Sequence, residues 1–467
     1  MPLHEDLARM VVQTSCNLIG DDARRALLAT VIDTVGCAAA SAADEFAVEA
    51  IKANRVLSGS GPCTVIGRPE RLAPVGAAML NGTLAHGYDF DDVHLPSVGH
   101  LSTAVIPAAL AACEMVNAGG PAFLDAVLVG DEVGGRIGWA ACSPEWGGSA
   151  IRTHGFFPTA ILGTMGAAAA AAKVLQLDEA RTAQALAIAA SYAAGLAGIS
   201  RGDNSTKRTQ AGWAAQSGLA AAFLAREGFT GPRSVLETPQ GFFQAFTGNK
   251  YNAESLQRQA DMPWICEEMS FKYYPLEYII HPLVEMANQA RGALGRKLDS
   301  IASIEAGTTS RFITLFEPRA AKVSPADRFM ALISAPYCIA RALTKPGTGE
   351  LFMRDFQQDY VLDDELRALA MKVKFVPNPE LDAVFPHHVA GELRVRGPDG
   401  AVLWQGRIDD VYGSLQRPLS ESHLLEKFQA NCAGMGPGAA DMVLDALRNL
   451  RSAKDAGWIA KLRGESA

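Results

Sequence analysis

The chain has 467 residues, of which 49% are hydrophobic and 20% charged, and this composition excludes an intrinsically disordered protein. Its length exceeds what one hydrophobic core usually serves, so we expect two domains. A net charge of -8 and a pI near 5.7 argue against a nucleic-acid partner, which needs a basic surface. A positive field confined to a cleft would still bind small polycarboxylates, because binding depends on the local charge.

The eight cysteines are scattered and show neither a CxxC pair nor a zinc-finger spacing. Because most of them lie in apolar surroundings, we expect reduced thiols and a cytoplasmic location. The first residues, MPLHEDLARM, lack a basic region followed by an apolar run, so we expect no signal peptide. The longest uncharged apolar segment, 156–172, is mostly Ala and Gly, which predicts a buried helix and no membrane partner.

Helical periodicity dominates roughly the first 265 residues. Apolar residues recur at threes and fours in the segments 7–18, 22–40, 102–116, 123–141, 159–175, 182–197 and 211–226. Ala and Gly are dense in these segments, and small side chains let helix axes approach closely. The pattern predicts a large helical bundle with helices that are buried on all sides.

The pattern changes after about Pro263. β-Branched or alternating segments lie at 300–306, 371–376, 391–396 and 402–408, and GPDGA between the last two is a strong hairpin signal. Helical patterns lie between them at 281–294, 327–343 and 364–370, and helical periodicity resumes after Pro418. We therefore predict a smaller α+β domain over 266–410, between helical segments over 1–265 and 411–467.

The densest group of ionisable residues lies in NGTLAHGYDFDDVHLPSVGHLSTAVIP, which spans 81–107 between two apolar helical patterns. Three histidines and three aspartates fall within fifteen residues: His86, Asp89, Asp91, Asp92, His94 and His100. Ionisable groups beside a core must be paired, bound to a ligand or used chemically, because an isolated buried charge is too costly. We predict that this segment carries the functional site.

Five blocks in this order resemble the MmgE/PrpD family over nearly all of the chain. They are NGTLAHGYDFDDVH with the following His100, GDEVGGRIG, HGFFPTAILGTMGAAAAAAKVLQLD, KRTQAGWAAQSGLAAAFLAREGFTGP and FKYYPLEYIIHPLVE. The resemblance implies a mainly α protein, in which a large all-α domain built from N- and C-terminal segments carries an inserted α+β lid domain. It also implies a cleft at their junction, a homodimer and an enzyme that removes a proton next to a carboxylate without a cofactor or metal.

The family's motif positions fall on residues that keep their type here, and these are the predicted catalytic residues: Asp89, His100, Lys207 and Lys272. Predicted substrate-binding residues, or a second acid or base, are His94, His154, Arg208 and His281. Such chemistry needs cations that hold carboxylates and a base near the carbon acid. Lys207 and Arg208 follow the polar loop RGDNST, where a helix N-terminus would add to their positive field.

We expect these cations to draw the substrate in, with Asp89 orienting or tuning His100. His100 would exchange the proton with Lys272, His154 or His281 as its partner. A structural alternative exists for each residue: His86 and Asp92 could cap a helix end, and the Lys272 stem could lie over the aromatic rings that follow it. His387 and His388 have no partner motif, and we interpret them as structural.

Several positions depart from the family pattern. Val93 stands where relatives commonly have Thr, and Phe157 where many have the His of FHP. Gln210 stands where a His is frequent, and Glu277 where some members have His or Cys. The polar groups lost at Val93 and Phe157 are candidate acids, whereas an epimerase needs only two proton-transfer groups on opposite faces of one carbon. We therefore predict an epimerase that resembles iminodisuccinate epimerase, with a 2-methylcitrate dehydratase-like or cis-aconitate decarboxylase-like lyase as the alternative.

Two other kinds of protein are weaker alternatives. The histidines and aspartates of 86–100 could bind a metal in a helical hydrolase, but their spacing matches no metal motif and the resemblance opposes it. A non-catalytic polycarboxylate-binding protein would also fit this scaffold. Retention of all four catalytic motif positions argues against it, because no packing requirement links two loop cations to the aspartate-rich run.

Overall fold

The computed structural model describes residues 2–200, 205–257, 262–295, 297–345, 350–357 and 359–464, and the protein is mainly α-helical. The N-terminal helices are α1 Leu3–Gln13, α2 Asp21–Ala42, α3 Glu45–Ser58, α4 Pro74–Ala85, α5 Ser102–Val116, α6 Gly120–Ala140, α7 Ala150–Thr153, α8 Pro158–Val174, α9 Glu179–Tyr192, α10 Thr206–Arg226 and α11 Phe242–Thr247. They are followed by α12 His281–Leu294, α13 Arg319–Val323, α14 Arg328–Leu332, α15 Ala335–Thr344, α16 Asp364–Ala370, α17 Pro379–Val384, α18 Glu421–Cys432 and α19 Ala439–Arg448. The strands are β1 Ser60–Thr64, β2 Arg71–Leu72, β3 Val93–His94, β4 Cys142–Ser143, β5 Gly148–Ser149, β6 Met269–Ser270, β7 Ser303–Gly307, β8 Val373–Phe375, β9 Gly391–Arg396 and β10 Val402–Ile408.

Helix α8 is the central helix of the bundle and packs against α5, α6, α9 and α10. Every residue of α8 except Lys173 is buried, so the predicted all-round burial of this Ala-rich segment is confirmed. A Cβ atom added at Gly166 would lie 2.6 Å from the carbonyl oxygen of Gly130 on α6, which explains why the contact requires a glycine. Small side chains therefore set the spacing of the bundle.

Helices α4 and α10 approach each other equally closely. A Cβ atom at Gly82 would lie 2.8 Å from the Cα atom of Gly212, and one at Gly212 would lie 2.1 Å from the carbonyl oxygen of Met79. The contact brings the first turn of α10 beside the end of α4, where the aspartate-rich segment begins. The helix packing thus positions two of the sequence blocks discussed above.

The four-stranded sheet has the order β10-β9-β7-β8. Strands β7 and β8 are parallel, whereas β9 is antiparallel to both β7 and β10. The predicted hairpin is confirmed at its predicted bounds, with Gly400 at a φ of 80° in the turn. At such a positive φ a residue with a Cβ is strained, which is why the turn carries glycine.

Four predicted helices differ from the structure, by more than three residues at an end or by an internal break. The helix predicted over 211–226 starts earlier, at Thr206. The segments predicted at 7–18 and 182–197 end earlier, at Gln13 and Tyr192. The single helix predicted over 327–343 is two helices, α14 and α15. The break occurs because the Ser334 hydroxyl accepts a hydrogen bond from the Tyr337 amide and Pro336 occupies the first turn, and both features start a new helix.

Two hydrophobic cores flank the aspartate-rich segment. One joins the N-terminal helices to buried residues near the C-terminus, such as Phe428 and Ile459. The other lies mainly within 274–411 but also takes in Tyr88, Phe90 and Val93. The segment between α4 and α5 therefore contributes side chains to the second core while its flanking helices belong to the first. The predicted boundaries at 265 and 410, and a lid role for the α+β part, stay predictions.

Helix α2 is long and apolar enough to cross a membrane, and no other helix in the described ranges meets both criteria. However, 72% of its apolar window is buried inside the protein, where α2 packs against α4 and α18. Core helices of globular proteins show the same composition. Its burial therefore assigns α2 to the hydrophobic core.

Candidate active site

Asp89 is the meeting point of two lysines from distant parts of the chain. It lies in the turn after α4 at a φ of 51°, a left-handed conformation that Asp adopts more readily than most residues. Packing of α10 on α4 brings Lys207 to the Oδ2 atom of Asp89. Pairing of Val93 with Ser270 brings Lys272 alongside, where its Nζ lies 2.6 Å from Oδ1 and 2.7 Å from the Asp89 carbonyl oxygen.

This cluster of Asp89, Lys207 and Lys272 is buried and carries a net positive charge. Burial alone would raise the pKa of Asp89, but the charges of Lys207 and Lys272 outweigh it and hold that pKa well below its ordinary value. Burial likewise opposes the charge of Lys272, yet Asp89 and Asp91 raise the pKa of its ammonium. One carboxylate shared by two ammonium groups leaves a positive charge that can stabilise an anion.

His100 lies beside this cluster and is oriented by Asp91. Its Nδ1 atom lies 2.8 Å from Oδ2 of Asp91 and 2.7 Å from the carbonyl oxygen of Asp92. Both partners accept, so Nδ1 carries a proton, and Nε2, 3.9 Å from Oδ1 of Asp89, is the atom that can take up a second proton from solvent and pass it to a ligand. The contacts that orient the ring through Nδ1 come from Asp91 and the Asp92 carbonyl oxygen. Asp89, which we expected to orient or tune His100, lies near the other ring nitrogen.

Asp91 also contacts His86, whose Nδ1 atom lies 3.1 Å from each of its carboxylate oxygens. Burial lowers the pKa of His86 despite the attraction of Asp91, so His86 is neutral. The same two histidines hold the pKa of Asp91 well below its ordinary value, against the effect of burial. Sequence reasoning missed the role of Asp91, because the turn at Asp89 decides which carboxylate of the DFDD run meets which histidine.

A pocket opens next to the cluster and is lined by five ionisable side chains: His100, Arg152, Lys207, Glu277 and Tyr278. Most of the remaining lining is apolar and includes Val93, Phe157 and Phe312. Arg152 carried no motif signal in the sequence, and Glu277 stood out only as a departure from the family pattern. The pocket combines positive charge with apolar walls, which suits a small anion that bears several carboxylates.

Of the predicted site residues, only His100 and Lys207 are in the described pocket lining; Asp89 and Lys272 lie in the cluster beside it, and the other four lie elsewhere. Arg208 stacks between the rings of Phe46 and Phe329, and its Nε atom donates to the Gly87 carbonyl oxygen at 2.9 Å. It therefore braces the turn that carries Asp89. Positions 201–204 of the loop before Lys207 are outside the described residues.

The three histidines of that group have separate environments. His94 is buried with its Nδ1 atom 2.9 Å from the Ser97 hydroxyl. His154 is exposed on the surface beside Gly248. His281 is buried below Lys272, and burial together with the charge of Lys272 lowers its pKa to about 3. The structure does not bring any of the three to the pocket, so their contact with substrate stays a prediction.

A metal fits this cluster poorly. His86, Asp89, Asp91 and His100 could present ligand atoms within 4.8 Å of one another. However, Asp89 already accepts from two ammonium groups and Asp91 contacts two histidines. A divalent cation would have to approach two lysine charges that share its ligands, which opposes binding.

Asp92 faces away from the pocket towards Asp131 in the core. The Ser102 hydroxyl donates to Oδ2 of Asp92 at 2.7 Å. Burial, followed by the charges of Asp131 and Asp33, raises the pKa of Asp92 well above its ordinary value. Burial and Glu132 raise the pKa of Asp131 in the same direction. Both side chains are therefore neutral acids in the folded protein.

Replacing Asp131 by Asn should stabilise the protein at neutral pH. An acid whose pKa is raised on folding contributes fully to the free energy of unfolding only when the pH is below its ordinary pKa, near 4. That contribution is lost as the pH rises towards the pKa of the folded protein. Asp131→Asn removes this loss. Urea denaturation at pH 7 should therefore show a free energy of unfolding that is higher by on the order of 2 kcal/mol, and the difference should vanish near pH 4. Asp22, whose side chain is exposed, provides the control variant Asp22→Asn. A less stable Asp131→Asn protein at pH 7 would contradict the assignment.

Lys427 ties the C-terminal segment to the site. Its Nζ atom donates to the carbonyl oxygens of Phe90 at 2.7 Å and Lys272 at 3.0 Å, and it lies 2.6 Å from Oδ1 of Asp33. It also lies 3.8 Å from the centre of the Phe90 ring. One buried ammonium group thus joins α2, α18 and both backbone segments that flank the Asp89 cluster.

The variant Lys427→Met should lose about 3 kcal/mol of unfolding free energy, because it leaves the Asp33 carboxylate and two carbonyl groups buried without a partner. Urea denaturation followed by circular dichroism measures the change. The double variant Asp33→Asn with Lys427→Met should recover part of the loss, since the unpaired charge is gone. Unchanged stability of Lys427→Met would show that the ion pair contributes nothing.

The fold and this site together define a mainly α-helical protein with a pocket, lined by His100, Arg152 and Lys207, next to the buried Asp89 cluster. The chain belongs to the MmgE/PrpD family: the MmgE/PrpD N-terminal domain matches residues 5–254 and the MmgE/PrpD C-terminal domain matches 274–451. The family predicted from the five sequence blocks is therefore confirmed, as is the mainly α fold.

The chain is similar to several cis-aconitate decarboxylases. The chain is 30% identical to a cis-aconitate decarboxylase of Homo sapiens over 444 residues, which cover 92% of this chain and 88% of that protein. The Mus musculus cis-aconitate decarboxylase is 31% identical, with coverage of 92% and 87%. A cis-aconitate decarboxylase of Aspergillus terreus is 27% identical, with coverage of 85% and 83%. These relatives favour the lyase alternative, and none of them supports the epimerase.

Proposed function

We propose that this protein is a lyase that releases carbon dioxide from a small tricarboxylate of the cis-aconitate type. The observation that carries the proposal is the buried cluster of Asp89, Lys207 and Lys272 next to the Nε2 atom of His100. The full-length similarity to cis-aconitate decarboxylases supports the choice of reaction and substrate.

The proposed chemistry requires an electron sink and a proton donor. When the bond between carbon and the leaving carboxylate breaks, its electron pair moves into the conjugated double bond and neighbouring carboxylate. The net positive charge of the Asp89 cluster stabilises that anion, and His100 supplies a proton to carbon from Nε2. One tricarboxylate trianion and one proton thus give carbon dioxide and an unsaturated dicarboxylate dianion.

The apolar pocket walls favour decarboxylation over dehydration. A dehydratase must protonate or stabilise a departing hydroxyl group, whereas departing carbon dioxide is neutral and needs no acid. Val93 and Phe157 line the pocket with hydrocarbon, where a carboxylate is poorly solvated and neutral carbon dioxide is not penalised. The same two departures that led us to predict an epimerase therefore fit a decarboxylase equally well.

Proton NMR in deuterated water, with cis-aconitate and a saturated hydroxy-tricarboxylate as separate substrates, tests the proposal. We expect cis-aconitate to lose carbon dioxide and the product to carry one deuterium at the protonated carbon. Exchange at carbon without carbon dioxide would identify an epimerase, and loss of water would identify a dehydratase. Binding without turnover would identify a binding protein, and loss of turnover with a chelator would identify a metal enzyme.

We further propose that the protein acts as a homodimer, as the family resemblance implies. Light scattering should then give a mass of about twice the 49.4 kDa of the chain. A mass equal to that of one chain would contradict this.

A further inference from the structure

Arg152 is a positively charged residue that lines the pocket but is not part of the Asp89 cluster. It lies in the short helix α7 and lines the same pocket as His100 and Lys207. Its guanidinium carbon lies 4.4 Å from the centre of the Phe312 ring, which also lines the pocket. A guanidinium that stacks on an aromatic face keeps its N–H donors at its edge, where they can bind a carboxylate in a bidentate manner.

The guanidinium of Arg152 is available for a ligand. Within the described ranges it forms neither an ion pair nor a hydrogen bond, whereas the buried guanidinium groups of Arg136 and Arg208 each form at least one hydrogen bond. Burial lowers the pKa of Arg152 and the attraction of Glu277 opposes this, but an arginine remains charged in any case. A desolvated cation without an anionic partner gains strongly from a carboxylate ligand.

Glu277 shows where that ligand would lie. It attracts Arg152 and lines the same pocket, but the two side chains do not form an ion pair. Its Oε2 atom accepts a hydrogen bond from the Ile279 amide at 2.8 Å, which fixes the carboxyl group. Burial and the charge of Asp89 raise the pKa of Glu277, so its protonated form can donate to a ligand oxygen between it and Arg152.

We propose that Arg152 binds a second substrate carboxylate, one that stays on the product, and thereby selects tricarboxylates over dicarboxylates. Lys207 and Lys272 share the charge of Asp89 and serve the reacting end of the substrate. Arg152 supplies the additional positive charge that a further carboxylate requires. The substrate class in this inference rests on the proposed function, but the binding subsite itself rests on the geometry of Arg152, Phe312 and Glu277.

Calorimetric titration with two unreactive probes, propane-1,2,3-tricarboxylate and butanedioate, tests the subsite. The unaltered protein should bind the tricarboxylate at least about tenfold more tightly. Arg152→Gln should weaken tricarboxylate binding by about 10- to 100-fold and leave butanedioate binding nearly unchanged, because only the larger probe reaches the guanidinium. Arg152→Lys should recover part of the preference, since it restores the charge but not the bidentate contact.

Arg226→Gln is the matched control. Arg226 also stacks on a phenylalanine, with its guanidinium carbon 4.5 Å from the Phe223 ring centre, but it does not line the pocket. The variant Arg226→Gln should leave the affinities for propane-1,2,3-tricarboxylate and butanedioate unchanged. Equal weakening of both probes by Arg152→Gln, or weakening of neither, would overturn the inference.

Kinetics separate this inference from the proposed function. If the protein decarboxylates cis-aconitate, Arg152→Gln should raise KM by about 10- to 100-fold with little change in kcat. If the unaltered protein releases no carbon dioxide but Arg152 still discriminates between the probes, the proposed reaction fails and the subsite stands. If turnover occurs and Arg152→Gln keeps its KM, the reaction stands and the subsite fails.

Discussion

Replacing Lys272 by Ala should lower kcat/KM for the tricarboxylate by about a thousandfold, which is the scale of losing a preorganised charge at a developing anion. The side chain is fully buried and holds both Oδ1 and the carbonyl oxygen of Asp89. Without it, the cluster of Asp89 and Lys207 becomes electrically neutral. Steady-state kinetics with carbon dioxide release as the readout measures the loss.

The control for Lys272→Ala is Lys345→Ala, which breaks another buried lysine–aspartate pair, Lys345 with Asp355, that is not part of the Asp89 cluster. Both variants should unfold at lower urea concentrations, because each leaves a buried aspartate without one of its two cationic partners. Only Lys272→Ala should lose activity per folded molecule. Near-normal kcat/KM in Lys272→Ala would show that the Asp89 cluster is structural.

Replacing His100 by Ala should lower kcat by about a thousandfold and leave KM within a fewfold of its original value. The reason is that Nε2 of His100 supplies the proton, and loss of a general acid or base typically costs two to four orders of magnitude. Asp91 and the Asp92 carbonyl oxygen hold the ring in the orientation that this transfer needs.

His388→Ala is the matched control, because His388 also pairs with an aspartate, Asp410, at 2.7 Å but lies outside the pocket. It should leave kcat unchanged. Deuterium incorporation into the product gives a second readout, since His100→Ala should slow carbon protonation as well as carbon dioxide release. Retention of kcat in His100→Ala would assign the proton to another group.

Local signals in the sequence were sufficient for much of the fold. The hairpin of β9 and β10 and the helix α12 have the predicted bounds, because turn glycines, proline at a helix start and apolar periodicity act within a few residues. The break between α14 and α15 was missed, although Ser334 and Pro336 carry a helix-start signal, because the apolar period continues through it.

The site was predictable only where a family motif marked it. Asp89, His100, Lys207 and Lys272 come together as expected, whereas Arg152 and Asp91 depend on tertiary geometry. Arg152 is 52 residues beyond His100 in the chain and reaches the pocket only through the packing of α7. Nothing in its neighbouring sequence distinguishes it from a surface arginine. Conversely, His154 stands next to a family motif in the sequence and yet faces solvent.

The segment that carries Asp89 has a further consequence for inactivation. Its aromatic side chains belong to the second core, its flanking helices to the first, and Lys427 fastens its backbone from the C-terminal helix. Neither of the two cores could therefore loosen on heating without moving Asp89 away from Lys207 or Lys272. Activity should therefore be lost when either core first unfolds on heating. The activity that remains at a given temperature then measures the fraction of molecules in which both cores are folded.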